Sequence, residues 1–233
     1  MKRKFAVGDI QGCLRTLDAL LDKIGLTTED EIIFLGDYVD RGPDSLGVLN
    51  RLARLKLNRY QVKMLRGNHE QMLLDSYKYS IERNELSLGD PQLLDSFGIT
   101  SLQQIPIEYI DFMSNLPFYH LSDNYILVHA GLNFKLGDDP LRNEEDMMWM
   151  RHWYNQIDRN WLGNRIVIHG HTPQTKMDTM AQLENLDKLP VLDIDCGIYL
   201  RSKLYKGFGH LCAFDMTNQM LYFQENVDED CIY

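Results

Sequence analysis

The segment IIFLGDYVDRG, residues 32–42, joins an unbroken apolar run to a glycine and then to charged residues. A short apolar run of this kind is typical of a strand that is buried on both faces. The glycine allows the chain to turn tightly where the strand ends. The segment therefore predicts a buried strand whose carboxyl end carries Asp37, Asp40 and Arg41.

Four other apolar runs end in the same way, in glycine, aspartate, asparagine or histidine; they cover residues 5–9, 62–68, 125–129 and 165–169. Leucines and an isoleucine at helical spacing follow the first run between Leu14 and Ile24, and Gly25 is a stop signal. A second apolar stripe, Leu46 to Lys56, follows residues 32–42. Strand, helix and strand in succession predict a layered α/β fold.

The rest of the chain shows two other patterns. Residues 71–80, 91–97 and 106–116 predict helices with no strand between them, hence a helical insertion at about 70–120. Residues 191–196, 210–214 and 219–223 alternate in polarity and predict antiparallel strands, with a tight turn at 216–219. Because no repeat or linker interrupts the chain, we expect a single domain over residues 1–233.

Composition excludes several classes of protein. The 24 basic and 34 acidic residues give a net charge of −10, which argues against binding to nucleic acid or to an anionic membrane. No run approaches the ~18 apolar residues of a membrane-spanning helix. The four cysteines form no C-x-x-C pair, so a zinc knuckle or redox dithiol is not predicted. Without a signal-peptide core after the basic start, we expect a cytoplasmic protein.

The predicted strand ends place polar side chains at one edge. Asp9, Asp37, Asn68, His129 and His171 each follow a strand and lie beside a glycine. In α/β sheets the carboxyl ends of the strands form the ligand crevice. One such residue alone is ordinarily part of a turn, but five at successive strand ends indicate a site. Oxygen and imidazole ligands without thiolate suit Mn²⁺, Fe²⁺ or Zn²⁺.

The motifs together resemble a known family. GD-x-x-G (8–12), GD-x-x-DRG (36–42), GNHE (67–70), HAG (129–131) and GHT (170–172) are similar to those of the calcineurin-like metallophosphoesterases. The resemblance covers about residues 5–172 and points to the phosphoprotein phosphatase branch, which includes bacterial serine/threonine phosphatases. It implies a four-layer α+β sandwich, in which two packed mixed β-sheets are flanked by helices. It also implies two divalent metal ions, manganese first, with iron or zinc as alternatives.

The same resemblance implies roles for individual residues. Asp37 would bridge the two metals, Asp9 would serve the first, and Asn68, His129 and His171 would serve the second. A hydroxide between the metals would attack the phosphorus atom. The catalytic residues would be His69 as general acid, Asp40 as its partner, and Arg41 and Arg151 as phosphate ligands. His169 matches no ligand and is interpreted as structural.

Gln11 departs from the family pattern, which has histidine at this position. Gln11 would either bind the first metal or hydrogen-bond a water and brace its turn, and the sequence leaves both open. The variant Gly-Asp-x-Gln-Gly-Cys resembles the diadenosine tetraphosphate hydrolases of the superfamily. Those enzymes usually have asparagine at the position of Asp40 and aspartate at that of Glu70, so both residues favour the phosphatase branch.

Three functions follow, in order. The first is a serine/threonine protein phosphatase, and the alternative is a dinucleoside polyphosphate hydrolase. The third is a non-catalytic scaffold of the same fold, which the complete set of site residues argues against. The partner would be a phosphoprotein or a phosphorylated small molecule or nucleotide. The sequence decides neither the substrate nor the oligomeric state. Four aromatic residues (Trp149, Trp153, Tyr154 and Trp161) are interpreted as one face of a core helix rather than a stacking wall.

Overall fold

The computed structural model describes residues 2–83, 89–137, 139–200 and 205–228. The strands in these residues are β1 (Lys4–Val7), β2 (Glu31–Phe34), β3 (Gln61–Met64), β4 (Tyr119–Ser122), β5 (Tyr125–Val128), β6 (Ile166–His169), β7 (Val191–Asp193), β8 (His210–Asp215) and β9 (Met220–Glu225). The helices are α1 (Leu14–Ile24), α2 (Ser45–Leu57), α3 (Asn68–Arg83), α4 (Pro91–Phe97), α5 (Ile107–Ser114), α6 (Glu144–Trp149), α7 (Arg159–Leu162) and α8 (Lys176–Leu183).

The strands form two mixed sheets, as predicted. One has the order β3-β2-β1-β8-β9, with β1, β2 and β3 parallel and β8 and β9 antiparallel. The other has the order β4-β5-β6-β7, with β5, β6 and β7 parallel. Helix α1 connects β1 to β2 and ends at Gly25, whose φ of 56° is left-handed. The predicted βαβ units are confirmed.

Three apolar layers explain why the strands lack alternation. Phe5 and Val7 of β1 face a core under the helices, whereas Ala6 between them faces a core between the sheets. In the second sheet Leu127 faces the inter-sheet core, and Ile126 faces a third core beneath α6 and α7. Each sheet is therefore covered on both faces, which requires apolar residues at consecutive positions. This is the four-layer sandwich.

The helical insertion is also found, with shifted limits. Helix α3 begins at Asn68, so this predicted metal ligand lies in the helix and not in the loop before it. Helix α5 is the last helix of the insertion. Strand β4 begins at Tyr119, just before residue 120, where the helical insertion was predicted to end, and it pairs antiparallel with β5. Its short, partly exposed sequence carries no continuous apolar run, which is why the sequence did not predict it.

Two strand predictions need correction. Residues 191–196 were expected to form an antiparallel strand, but β7 covers only Val191–Asp193 and lies parallel to β6. The alternation there arises because Asp193 and Asp195 are buried beside the site, not because one face meets solvent. Strand β3 is an edge strand with Gln61 and Lys63 exposed, so it is not buried on both faces. Within the described ranges no helix combines the length and apolarity needed to span a membrane.

Candidate active site

The predicted site residues come from both sheets and meet at one end of the sandwich. Asp9 follows β1, Asp37 follows β2, His129 follows β5 and His171 follows β6, while Asn68 begins α3. Glycines allow the loops to approach. A Cβ atom at Gly67 would overlap Asp37 Oδ1, and a Cβ atom at Gly170 would overlap Asp9 Oδ1.

Four of these residues are in direct contact. Asn68 Oδ1 lies 2.9 Å from His129 Nε2 and 2.8 Å from His171 Nδ1. Asp37 Oδ1 lies 3.3 Å from His129 Nε2. Asp37, His129 and His171 each offer a ligand atom, and these atoms lie within 4.8 Å of one another. We call Asp37, Asn68, His129 and His171 the ligand cluster.

The chemistry of His129 fits a cation at the ligand cluster. Its Nδ1 lies 3.0 Å from the carbonyl oxygen of Leu35, which can only accept, so we assign the ring proton to Nδ1. Its Nε2 then presents a lone pair to Asn68 Oδ1 and to Asp37 Oδ1, which also present lone pairs. Three electron-pair donors facing one another are stabilised by a divalent cation, and a backbone carbonyl on the other nitrogen is typical of metal-binding histidines.

The electrostatics agree with this reading. Burial lowers the pKa of His129, although Asp37 acts in the opposite direction. Burial, with the positive charge of Arg151 among smaller contributions, lowers the pKa of His171 to about 3. Both imidazoles are therefore neutral near pH 7, as metal ligation requires. His171 presents Nδ1 to Asn68 Oδ1 at 2.8 Å, whereas its Nε2 is buried and has no hydrogen-bond partner among the described residues.

Asp9 and Gln11 lie next to the ligand cluster. Both oxygens of Asp9 accept weakly from the backbone N–H of His171, at 3.3 and 3.2 Å. Burial, together with the carboxylates of Asp195 and Asp37, raises the pKa of Asp9 well above its usual value. Gln11 Nε2 donates to Asp37 Oδ2 at 2.8 Å, and Gln11 Oε1 is buried without a hydrogen-bond partner in the described chain. A cation near Asp9 would offset the negative charge of the neighbouring carboxylates and would give Gln11 Oε1 a partner.

Backbone strain concentrates at the same place. Gln11, Asp37, Asp40, Arg41 and His171 all have φ between 51° and 71°, the left-handed region that side chains disfavour. Each such residue costs of order 1 kcal/mol and persists only where its surroundings hold it. Strain of this kind is typical of functional sites, and here it aims five side chains at one small volume.

His69 and Asp40 form the expected pair. His69 Nδ1 lies 2.7 Å from Asp40 Oδ2, and His69 Nε2 lies 3.8 Å from Asp37 Oδ2. Burial disfavours the charged imidazolium, but the carboxylates of Asp37 and Asp40 outweigh it and raise the pKa of His69 to about 8. His69 is thus able to carry a proton near neutral pH at the edge of the ligand cluster.

The two arginines lie on different loops around the ligand cluster. The guanidinium of Arg41 stacks on the ring of Tyr199, with Cζ 3.9 Å from the ring centroid. Arg151 is exposed just after α6, and its charge acts on the pKa values of His129 and His171. Guanidinium groups so placed suit the bidentate binding of phosphate oxygens.

His169 contacts protein groups rather than the ligand cluster. Its Nε2 lies 2.7 Å from the hydroxyl of Tyr154 and its Nδ1 lies 2.8 Å from the carbonyl oxygen of Gly170. The four aromatic residues that were interpreted as one face of a helix do not share one helix: Trp149 ends α6, and Trp161 lies in α7. Trp153 is buried in the core, but Trp149 is 41% exposed with its ring 6.2 Å from that of His171.

Sequence reasoning missed the part played by Glu70. This fully buried carboxylate accepts from the backbone N–H groups of Asp37 and Gly67, both at 2.9 Å, and from that of Tyr38 at 2.7 Å. Glu70 therefore holds the loop that carries Asp37. In the sequence, Glu70 of the GNHE motif was interpreted only as a marker of the phosphoprotein phosphatase branch. Because its carboxylate oxygens accept hydrogen bonds from backbone N–H groups, this side chain does not select the substrate.

A pair of buried carboxylates was also missed. Asp193 and Asp195 are each 2% exposed and influence Asp9 electrostatically. Burial raises the pKa of Asp195 to about 6, although the N–H of Gly197 favours its ionised form. Their alternation with apolar residues in 191–196 resembles that of a surface strand, which concealed them.

Comparisons with known proteins agree with the motifs. A model of the calcineurin-like phosphoesterase family matches residues 3–202. A symmetrical bis(5'-nucleosyl)-tetraphosphatase of Nitrosomonas europaea is 37% identical over 129 residues, which are 55% of this chain and 44% of that protein. The protein of the same name from Coxiella burnetii is 28% identical over 227 residues, 90% of this chain and 66% of its own. The chain thus spans about half to two thirds of the length of these relatives.

Solved structures share the fold. A candidate diadenosine tetraphosphatase aligns with a TM-score of 0.65 at 24% identity, covering 95% of this chain and 92% of its own. A serine/threonine phosphatase from Saccharomyces cerevisiae aligns with a TM-score of 0.66 at 17% identity, covering 98% and 81%. At these identities the similarity is one of architecture, since one fold hosts many activities.

Proposed function

Because this chain belongs to the calcineurin-like phosphoesterase family, we propose that it hydrolyses dinucleoside tetraphosphates into two nucleoside diphosphates. The observation that carries the chemistry is that Asp37 Oδ1 and Asn68 Oδ1 both present lone pairs to His129 Nε2, at 3.3 and 2.9 Å. The substrate class is supported by relatives of 28–37% identity that are named bis(5'-nucleosyl)-tetraphosphatases. This reverses the order of the two functions that the sequence alone favours.

In this proposal two divalent cations, with manganese as the first choice, are held by residues of the site. Asp9, Gln11 and Asp37 would hold one, and the ligand cluster would hold the other. When bound, such cations polarise phosphoryl oxygens and lower the pKa of water at the site. Asp37 is suited to both because its two oxygens face opposite neighbours, Gln11 on one side and His129 on the other.

The chain's own side chains supply the remaining functions. Arg41 and Arg151 bind phosphoryl oxygens and orient the polyphosphate, which concentrates an anionic substrate on a protein of net charge −10. In its imidazolium form, which the carboxylates of Asp37 and Asp40 favour, His69 donates Nδ1–H to Asp40 and carries a second proton at Nε2. This proton is available to the leaving oxygen. Glu70 keeps the Asp37 loop in its strained conformation throughout.

A serine/threonine phosphatase remains the second candidate because of Asp40. A paired, protonated His69 is most useful when the leaving group is a poorly stabilised alkoxide, as in phosphoserine. A nucleoside diphosphate leaves readily with less help. Glu70 adds no contact with substrate to this argument, since its carboxylate accepts from backbone N–H groups.

The test is a substrate panel with Mn²⁺-loaded protein. Diadenosine tetraphosphate, a phosphothreonine peptide and p-nitrophenyl phosphate are compared by kcat/KM, with nucleotide products separated by anion exchange. We expect diadenosine tetraphosphate to be preferred and to give ADP alone. Asp37→Asn is the matched inactive control. Preference for the phosphopeptide would replace this proposal with the second candidate.

A further inference from the structure

Two cavities open beside the candidate site, one lined by residues of the loop after β2 and the insertion, the other by residues of β6 and β7 and the loops near them. The insertion cavity, of about 270 Å³, lies between the loop after β2 and the helical insertion, and its lining includes Arg41, His69, Met72 and Leu93. The strand cavity, of about 350 Å³, lies beside β6 and β7, and its lining includes Arg151, Trp153, Tyr154 and Gln174.

The two cavities are related through the site. Among the residues that the structure describes they have no lining residue in common, and each contains one of the two candidate phosphate-binding arginines. His69, in the lining of the insertion cavity, is 3.8 Å from Asp37. His169, in the lining of the strand cavity, is two residues before His171 of the ligand cluster. A chain of phosphates across the ligand cluster therefore has a cavity and an arginine at each end.

We propose that these two cavities are the subsites for the two nucleosides of the substrate, an inference that rests on the proposed function. A dinucleoside tetraphosphate carries a base and ribose at both ends of its phosphates, so it requires two places of about this size. A phosphorylated side chain has one organic end and would leave the second cavity without a use. Pockets for small ligands are typically concave and combine apolar walls with a few polar groups.

The insertion cavity offers a mainly apolar wall. Met72 is 43% exposed, and its thioether makes favourable contacts with flat aromatic rings. Leu73, Leu93 and Leu102 lie behind it and are almost fully buried. Because His69 also lines this cavity, the nucleoside of the leaving diphosphate is the one that binds here.

The strand cavity combines a mainly apolar surface with amide side chains held in fixed positions. Gln174 Nε2 donates to Thr179 Oγ1 at 2.8 Å and to the carbonyl oxygen of Asp193 at 2.7 Å, and Gln182 Oε1 accepts from Asp193 N at 2.8 Å. Gln174 Oε1 accepts from Gln182 Nε2 at 3.1 Å, so the two amides form a preorganised wall of the cavity. The exposed side chain of Asn155 lies at the rim. The nucleoside that stays with the attacked phosphate binds here.

The experiment fills each cavity with an indole. Ser76→Trp on α3 occupies the insertion cavity, with Met72→Trp as a second variant at an exposed position should the first not fold. Asn155→Trp occupies the strand cavity. Lys78→Trp and Asn160→Trp are matched controls, since both positions are exposed on helices and outside either lining.

Two measurements are made on the Mn²⁺-loaded proteins. The first is the selectivity, kcat/KM for diadenosine tetraphosphate divided by that for p-nitrophenyl phosphate, which we expect to fall about 10-fold in each filled variant because the stacking of one base is lost. The second is the number of ADP molecules bound per chain by calorimetry, which we expect to be two in the wild type and the controls and one in each filled variant.

The outcomes separate the subsites from the reaction. Hydrolysis of diadenosine tetraphosphate with selectivity and ADP stoichiometry unchanged in the filled variants would overturn the subsites and leave the proposed function standing. A response in only one filled variant would also overturn the pair. Two ADP sites without preferential hydrolysis of the tetraphosphate would overturn the proposed function and, with it, the assignment of the cavities to this substrate.

Discussion

The ring of Tyr199 lies flat against the guanidinium of Arg41, with 3.9 Å between Cζ and the ring centroid. Arg41 sits in the strained loop after β2, at a φ of 65°, and Tyr199 lies in the loop that follows β7. The contact thus joins loops on the two sheets and fixes the direction of a side chain that we propose binds phosphate.

Removing this stack should weaken substrate binding more than turnover. Tyr199→Leu loses a cation–π contact of ~0.5–2 kcal/mol, so we expect KM to rise about 2- to 30-fold with a smaller change in kcat. Tyr199→Phe keeps the ring but loses the hydrogen bond between the hydroxyl and Arg41, so its KM should rise less than that of the Leu variant. Steady-state kinetics on both variants decide the matter; a Phe variant as impaired as the Leu variant would show that the ring does not position Arg41.

His69→Asn tests the proton donor. For a phosphothreonine peptide we expect kcat to fall by ~10²–10⁴, the usual contribution of a positioned acid. For p-nitrophenyl phosphate and for diadenosine tetraphosphate the loss should be much smaller, because these leaving groups need little protonation. Equal losses on all three substrates would remove His69 as general acid. Metal content, measured alongside, should be unchanged.

Glu70→Gln tests the brace behind Asp37. An amide has one oxygen to offer and places an NH₂ group against backbone donors, so buried N–H groups of the loop lose their acceptor. We expect the free energy of unfolding to fall by about 1–3 kcal/mol and Mn²⁺ affinity to fall with it. Glu70→Asp keeps the charge and should lose less. Urea unfolding and calorimetry measure the two effects, and a Gln variant with wild-type values of both would contradict the role.

The strand ends could be predicted from the sequence because both sheets are covered on two faces. Their strands are therefore continuous apolar runs, such as residues 32–35, and the predicted ligands follow directly after these runs. Strand β4 could not, since its exposed edge position gives it no apolar run. Contacts between loops that lie far apart in the sequence could not be predicted either. Tyr199 contacts Arg41 although 158 positions separate the two residues in the sequence. The local sequence around either residue does not predict this contact. Glu70 was visible as a motif residue, but three of its four backbone donors, the N–H groups of Asp37, Tyr38 and Val39, depend on the turn at Asp37.

Acid stability should depend on Asp30, far from the site. Asp30 is buried and accepts from Arg3 Nε and Nη2 at 3.1 and 2.6 Å and from Thr27 N at 2.9 Å. Burial opposes its charge, but these donors prevail and lower the pKa of Asp30 to about 2. A carboxyl group whose folded pKa is depressed adds stability above its unfolded pKa, and that stability is lost as pH falls from about 4 to about 2.

The variant Asp30→Asn should therefore cost roughly 2 kcal/mol near neutral pH, the usual value of hydrogen bonds to a charged group. Its deficit should narrow between pH 4 and pH 2, where wild type loses the same contribution. Urea unfolding over this range is the measurement. Asp18→Asn removes a more exposed ion pair with Arg51 and should change little; a deficit of the Asp30 variant that is constant with pH would rule out the ionised pair as its cause.

Gln11→His tests whether this residue binds a metal. In the structure Gln11 Nε2 donates to Asp37 Oδ2 while Oε1 is buried without a partner, which is the arrangement expected of an oxygen that faces a cation. If it does, an imidazole in its place should tighten that metal site, and more so for Zn²⁺ than for Mn²⁺, because Zn²⁺ gains more from a nitrogen ligand. Gln11→Leu is the control, since it removes the side-chain oxygen and should weaken the binding of both Zn²⁺ and Mn²⁺. Calorimetric titration of metal-free wild type and variants with each ion gives the affinity ratio directly. A Zn²⁺/Mn²⁺ ratio that is the same in wild type and in the histidine variant would mean that Gln11 only braces Asp37, and the first metal would then have to be held by Asp9 and Asp37 without it.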